Sequence, residues 1–143
     1  MLTKLLSRQI PEYQDVINEG MKATLPALQV GMIPDIYKQL LDETAQCWIS
    51  AREGRFEAVY ITRVESDPNI GGKIFTVLSG YAPDGLTGSG SVLEGFETMK
   101  KFALGQGCDR IAFYTNNPEV EKYIGMFDLL WKTRYYQFKL EEV

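Results

Sequence analysis

Any chemistry in this chain has to start from a glycine-studded loop, Ala82 to Gly90. It lies between a strand-like run, Lys73 to Tyr81, and a helix that starts near Ser91. Backbone amides at a helix start carry partial positive charge and point into the preceding loop, so an anion, typically a phosphate, is the natural guest. Bare Gly-x-Gly spacing also serves plain flexible turns. Its position between a strand and a helix is what favours the anion. The chain contains no histidine. That removes the commonest general base and the commonest metal ligand. A zinc site and a Ser-His-Asp triad are therefore not expected, and any base must be a carboxylate, a tyrosine, a lysine or an ordered water.

The elements that must position this loop follow from periodicity. Met1 to Leu6 can form a short first strand. Ile10, Tyr13, Val16, Ile17 and Met21 recur at helical spacing, with Pro11 in a first turn and Gly20 weakening the helix end. Thr24 to Met32 reads as an irregular connector. Pro34 opens a second helix with Ile36, Tyr37, Leu40 and Leu41 on one side. The period then changes. Cys47 to Arg52 and Phe56 to Glu65 are strand-like runs joined by Glu53-Gly54-Arg55, which predicts an antiparallel hairpin. Both faces of the second run hold apolar groups, as in a central strand covered on both sides. The turn cluster SDPNIGG precedes Lys73.

After the glycine loop, Val92, Leu93, Phe96, Met99 and Ala103 share a helix face, and Gly105 and Gly107 end that helix. Asp109 to Thr115 is a strand, parallel to the Lys73 strand because a helix intervenes. Asn117 suits an N-cap and Pro118 a first helical position, opening a short helix with Val120, Ile124 and Phe127 inward. Leu129 to Leu140 is an aromatic-rich final strand whose alternation slips near Thr133-Arg134, predicting a bulge or a bend.

Bulk properties bound the class. The 143 residues fit one domain at roughly 100–200 residues per domain. Hydrophobic residues at 45% and charged residues at 24% argue against disorder. A net charge of −4 argues against a broad nucleic-acid surface. No apolar run approaches the ~20 residues of a membrane span, and residues 1–12 show no signal-peptide pattern. Cys47 and Cys108 stand far apart without a CxxC, favouring two buried free thiols.

The element order resembles the GNAT acetyltransferase superfamily, whose members move an acetyl group from acetyl-CoA to an amine. Residues 10 to 140 carry the likeness. The family's pyrophosphate loop is an arginine or glutamine, two variable residues, then Gly-x-Gly or Gly-x-Ala before a helix. Here Gly85-Leu86-Thr87-Gly88-Ser89-Gly90 stands at that place. Gly88 and Gly90 match, and Gly85 replaces the arginine or glutamine. A second motif places an asparagine after the next strand, a tyrosine on a short helix, then Gly-Phe. Asn116-Asn117 and Tyr123 fit; Met126-Phe127-Asp128 replaces the Gly-Phe corner.

The resemblance implies a single α/β (α+β) GNAT-like domain over residues 1–143. Its central sheet would be mixed and mostly antiparallel, flanked by helices, with strands splayed at a cofactor cleft. It implies acetyl-CoA as cosubstrate. Gly85, Thr87, Gly88, Ser89, Gly90 and Ser91 would hold the pyrophosphate, and Leu78, Ser79 and Gly80 would pair with the pantetheine arm. Asn117 would contact that arm, and Tyr123 would protonate the leaving thiolate. Glu65 and Asp84 are the candidate bases. Bland readings stand beside these: Tyr123 as a packed helix tyrosine, Asn117 as a plain N-cap, Lys100 and Lys101 as a solvated face or cations near the cofactor's adenosine phosphate.

Two functions follow. One is an N-acetyltransferase for an unidentified amine on a small molecule or protein, in the cytoplasm. The other is a non-catalytic scaffold with a degenerate site, similar to the short GNAT-like chains of tailed phages, including virion components. On that reading the C-terminal aromatic strand or a sheet edge would hold a partner or a second copy.

Overall fold

The computed structural model describes residues 1–25, 31–68, 71–85, 89–113 and 140, with the backbone alone at 89–93. Strand β1 (Leu2–Lys4) leads through a 3-10 helix (Ser7–Tyr13) into helices α1 (Gln14–Thr24) and α2 (Ile33–Leu41). Strands β2 (Ala45–Arg52), β3 (Arg55–Ser66) and β4 (Lys73–Tyr81) follow, then helix α3 (Ser89–Gly105) and strand β5 (Arg110–Phe113). The sheet runs β1-β2-β3-β4-β5. Neighbours are antiparallel up to β4, and β4 and β5 are parallel. This is the α+β architecture expected: a mixed, mostly antiparallel sheet flanked by helices, with the one parallel pair across the helical crossover.

Local chemistry explains the joints. Glu53 and Gly54 both have positive φ, 53° and 74°. That is the two-residue turn whose twist matches a hairpin, so β2 returns as β3. Gly107 has φ of 81°. Cys108 N–H donates to Ala103 O at 2.9 Å and Gly107 N–H to Leu104 O at 3.1 Å. This paired motif closes the last turn of α3 and satisfies its orphan carbonyls. The first helical stretch departs from expectation. It is divided, with Pro11 inside the 3-10 segment and α1 starting only at Gln14. Pro11 has no N–H to donate and its ring crowds the preceding turn, which fits the short, tighter helix better.

Each sheet face has its own core. Ile17, Met21, Ile36 and Leu40 from α1 and α2 pack on Cys47, Ile49, Val59 and Ile61. On the opposite face Met99 and Ala103 of α3 pack with Trp48, Phe75 and Val77. Strand β3 is thus covered on both sides, as its two apolar faces predicted. Gly20 does not end α1, which continues to Thr24. It is a contact point instead. A Cβ there would lie 3.1 Å from Tyr81 Cβ and 3.2 Å from Val59 Cγ1. A side chain there would force Tyr81 or Val59 to give by a few tenths of an ångström, so glycine suits the close approach of α1 to the end of β4.

Cys47 and Cys108 are both free and buried. Burial pushes the Cys47 thiol up to about 12, so it stays protonated. Among the described residues, no helix is long and apolar enough to cross a membrane.

Candidate functional site

Strand β4 leads straight into the glycine loop, and its last residues are where the sheet changes character. Up to Val77 it is paired on both sides. Ile74 through Val77 match Arg110 through Phe113 of β5, while Phe75, Thr76 and Val77 match Val64, Arg63 and Thr62 of β3. The next register pair with β3 is Ile61↔Ser79. Leu78 is therefore an extra residue, a β-bulge, which bends a strand and re-aims its peptide groups. Leu78 to Tyr81 have, among the described residues, no partner on the β5 side. Any parting of β4 and β5 beyond this point involves residues after 113, outside the described residues.

The bulge also changes which way side chains point. Val77 packs on the α3 face, and Leu78 and Tyr81 pack on the α1 and α2 face although three residues apart. Ser79 turns to α1 as well: its hydroxyl meets the Thr24 hydroxyl at 2.5 Å. Gly80 returns to the α3 face, where an added Cβ would lie 3.1 Å from the Tyr60 ring. Leu78, Ser79 and Gly80 thus lie together on the bulged strand, but the Ser79 hydroxyl is committed to α1. Only its main chain is left for a ligand running alongside β4.

Beyond β4 the chain turns at once. Gly85 N–H donates to Ala82 O at 3.0 Å, closing a turn that carries Pro83 and the exposed Asp84. Gly85 has φ of 83°, and an added Cβ would meet nothing within 4 Å. Conformation rather than space favours glycine there. An arginine or glutamine, the residue the resemblance expects, would have to adopt a left-handed backbone that L side chains disfavour. Helix α3 starts at Ser89, two residues before the expected Ser91, so Ser89, Gly90 and Ser91 form its first turn. Thr87, Gly88, Asn117 and Tyr123 lie outside the described residues. So do the short helix, the final aromatic strand and its expected bulge.

Asp84 and Glu65 are not brought together. Asp84 follows the end of β4. Glu65 pairs in register with Ile74 near the other end of that strand, roughly 20 Å away by strand rise. Its carboxylate is held 2.5 Å from Arg63 Nε, and Arg63 also donates to Gln39 Oε1 at 3.1 Å. One group beside Asp84 was missed in the sequence. The Tyr81 hydroxyl donates to Glu19 Oε1 of α1 at 3.0 Å. That bond to Glu19 pushes the phenol above its usual range; desolvation and the charges of Glu19 and Asp84 add to it. Tyr81 therefore stays a protonated donor to Glu19. No spacing rule links Glu19 to Tyr81, because α1 reaches β4 only after folding. Lys100 and Lys101 are exposed on α3, as a solvated face requires.

The fold defines the class. The chain has the fold of the GNAT acetyltransferases, with the bulged β4, the turn and the start of α3 where the resemblance places the cofactor cleft. Among solved structures it is similar over 99% of its length, and 99% of the other chain, to a probable acetyltransferase, at TM-score 0.70 and 9% identity. A predicted acetyltransferase with acetyl-CoA from Clostridium acetobutylicum matches at TM-score 0.64 and 13% identity, covering 95% of each chain. A GNAT family acetyltransferase of Staphylococcus aureus subsp. aureus USA300_TCH1516 matches at TM-score 0.63 and 8% identity, covering 98% of each chain. No protein-family model and no curated protein matches the chain.

Proposed function

We propose that this chain transfers an acetyl group from acetyl-CoA to the amine of a small molecule or protein. The observation that carries the reading is the end of β4. A bulge at Leu78 re-aims the peptide groups of the strand residues that lead into the Ala82–Gly85 turn, ahead of helix α3. Strand peptide groups turned out of the regular ladder accept an extended guest as an added strand, which suits the amide-bearing arm of CoA. A helix start favours the diphosphate. Bound acetyl-CoA supplies an activated thioester. The peptide groups of residues 78–80 would hold and orient it, and a strand amide would stabilise the charge that develops on the acyl oxygen.

The remaining roles extend the same reading. Gly85, Thr87, Gly88, Ser89, Gly90 and Ser91 cradle the diphosphate, Asn117 contacts the arm, and Tyr123 returns a proton to the thiolate. Asp84 is the better-placed base of the two carboxylates, because Glu65 is ion-paired near the far end of β4. The Glu19–Tyr81 pair beside it would meet a cationic amine on its approach. The scaffold reading gains no observation from the described residues or from the similar structures, and the cytoplasm is the location that acetyl-CoA chemistry suits.

Titration calorimetry and thermal shift with CoA and acetyl-CoA test the reading. Binding with a clear rise in Tm is expected, since a ligand at 100 times its Kd stabilises the native state by about 2.7 kcal/mol. No heat and no shift at millimolar acetyl-CoA would overturn it. Acetyl transfer to a panel of polyamines, aminoglycosides and peptide N-termini then identifies the acceptor.

A further inference from the structure

We infer that Thr24, acting through Ser79, is a positioning residue that sets the bulge of β4 for its ligand. The inference rests on the acetyl-CoA reading above and deepens it. The Thr24 hydroxyl donates to Gly20 O at 2.8 Å. Its single proton is thereby used, so at 2.5 Å it is the Ser79 hydroxyl that donates to Thr24 Oγ1. A relay runs from a buried hydroxyl at the bulge, through the last turn of α1, to a helix carbonyl.

Three observations make this a positioning device rather than ordinary packing. First, Ser79 is the first residue to pair with β3 after the extra residue Leu78, so its orientation decides how residues 78–80 leave the ladder. Second, strand alternation would place Ser79 on the α3 face, with Phe75 and Val77. The bond to Thr24 is found on the opposite face, and so accompanies the reversal that the bulge creates. Third, Ser79 is only 4% exposed, so without Thr24 its hydroxyl loses a partner that water does not readily replace. Thr24 itself is exposed at the end of α1. It is not part of the buried core, and its hydroxyl bonds to the strand. Gly20 supplies the other half of the arrangement, because its missing side chain lets α1 come close enough for the bond.

The test compares wild type with Thr24→Val, Thr24→Ser and a core control on α2, Ile36→Val, which lowers Tm without altering the Thr24–Ser79 hydroxyl pair. The readouts are calorimetric CoA affinity and amide hydrogen exchange at Ser79 and Gly80 in the ligand-free protein. Thr24→Val should weaken CoA about three- to tenfold, the worth of one net hydrogen bond, and speed exchange at both amides. Thr24→Ser, which keeps the hydroxyl, should restore both readouts to wild type, and Ile36→Val should leave CoA affinity alone. If wild type binds CoA and Thr24→Val binds it equally well, the positioning role is overturned while the acetyl-CoA reading stands. If Thr24→Val leaves exchange at the bulge unchanged, the relay does not hold the bulge, whatever CoA does. A wild-type protein silent toward CoA removes the acetyl-CoA reading, and with it the ligand this relay would serve.

Discussion

At the scale of single residues, the buried polar groups of this protein are used to fix side chains rather than left to chance. Trp48 Nε1 donates to Thr62 Oγ1 at 2.9 Å, and that hydroxyl donates to Gln46 Oε1 at 2.9 Å. Trp48 and Thr62 are both buried. Thr62→Val keeps the shape and deletes both bonds, leaving the indole N–H and the Gln46 oxygen short of a partner. A loss of about 1–3 kcal/mol is expected, measured by urea unfolding, with a shift in Trp48 fluorescence as the local report. Thr24 and Ser79 follow the same logic at the bulge. Gly85 illustrates the limit of a residue pattern. Its identity departs from the family motif, and its positive φ gives a physical reason why a long side chain is disfavoured there.

At the scale of elements, two joints carry the arrangement around β4. The first is the seat of α1. A methyl at Gly20 would press on Tyr81 and Val59 at 3.1–3.2 Å. Gly20→Ala gains about 1 kcal/mol in helix propensity and loses about 1–3 kcal/mol to overpacking. A net loss of about 1 kcal/mol is expected, seen as a lower Tm; Gly20→Val should be clearly worse, and a Tm rise in either would refute the close approach. The second joint is the start of β5. Arg110 donates to Asp67 at 2.8 Å, to Asp109 at 2.9 Å and to Gly71 O, and so clasps the turn before β4 onto β5. Both Arg110 and Asp67 are partly buried. Arg110→Ala removes the guanidinium that joins Asp67, Asp109 and Gly71 O, and should lower the midpoint of chemical denaturation. Arg110→Lys should recover only part, because an ammonium cannot fork to several acceptors at once.

At the scale of the whole molecule, a sheet covered on both faces buries groups that ionise only at high pH. Cys47 is pushed up to about 12 by desolvation, and Tyr60 is raised by desolvation first and the Glu57 charge second. The sign follows from linkage. Both groups are neutral when protonated, and the folded state holds those protons more tightly than the unfolded chain. Their stabilisation is complete below the unfolded thiol value of 9.0. It is lost as pH rises toward about 12, where the unfolded chain has released protons that the fold retains. Equilibrium unfolding from pH 8 to 11 should therefore show stability falling above pH 9. Cys47→Ala should shallow that slope, and an unchanged slope would contradict the assignment.

The two helical coverings, the hairpin at Glu53-Gly54, the boundaries of β4 and the parallel entry of β5 were legible in the chain because each depends on local chemistry. A period, a positive-φ turn or an intervening helix is written within a dozen residues, and together these dictated the GNAT-like order. The bulge at Leu78, the seat under Gly20, the Thr24–Ser79 relay and the Glu19–Tyr81 pair were not. Each is a relation between elements far apart in sequence, and a strand cannot record where its neighbour's register will slip. Glu65 and Asp84 show the division most plainly. As residue types both were equally fit to serve as a base; only pairing along β3 and β4 put them at opposite ends of the strand, one locked to Arg63 and the other beside the loop.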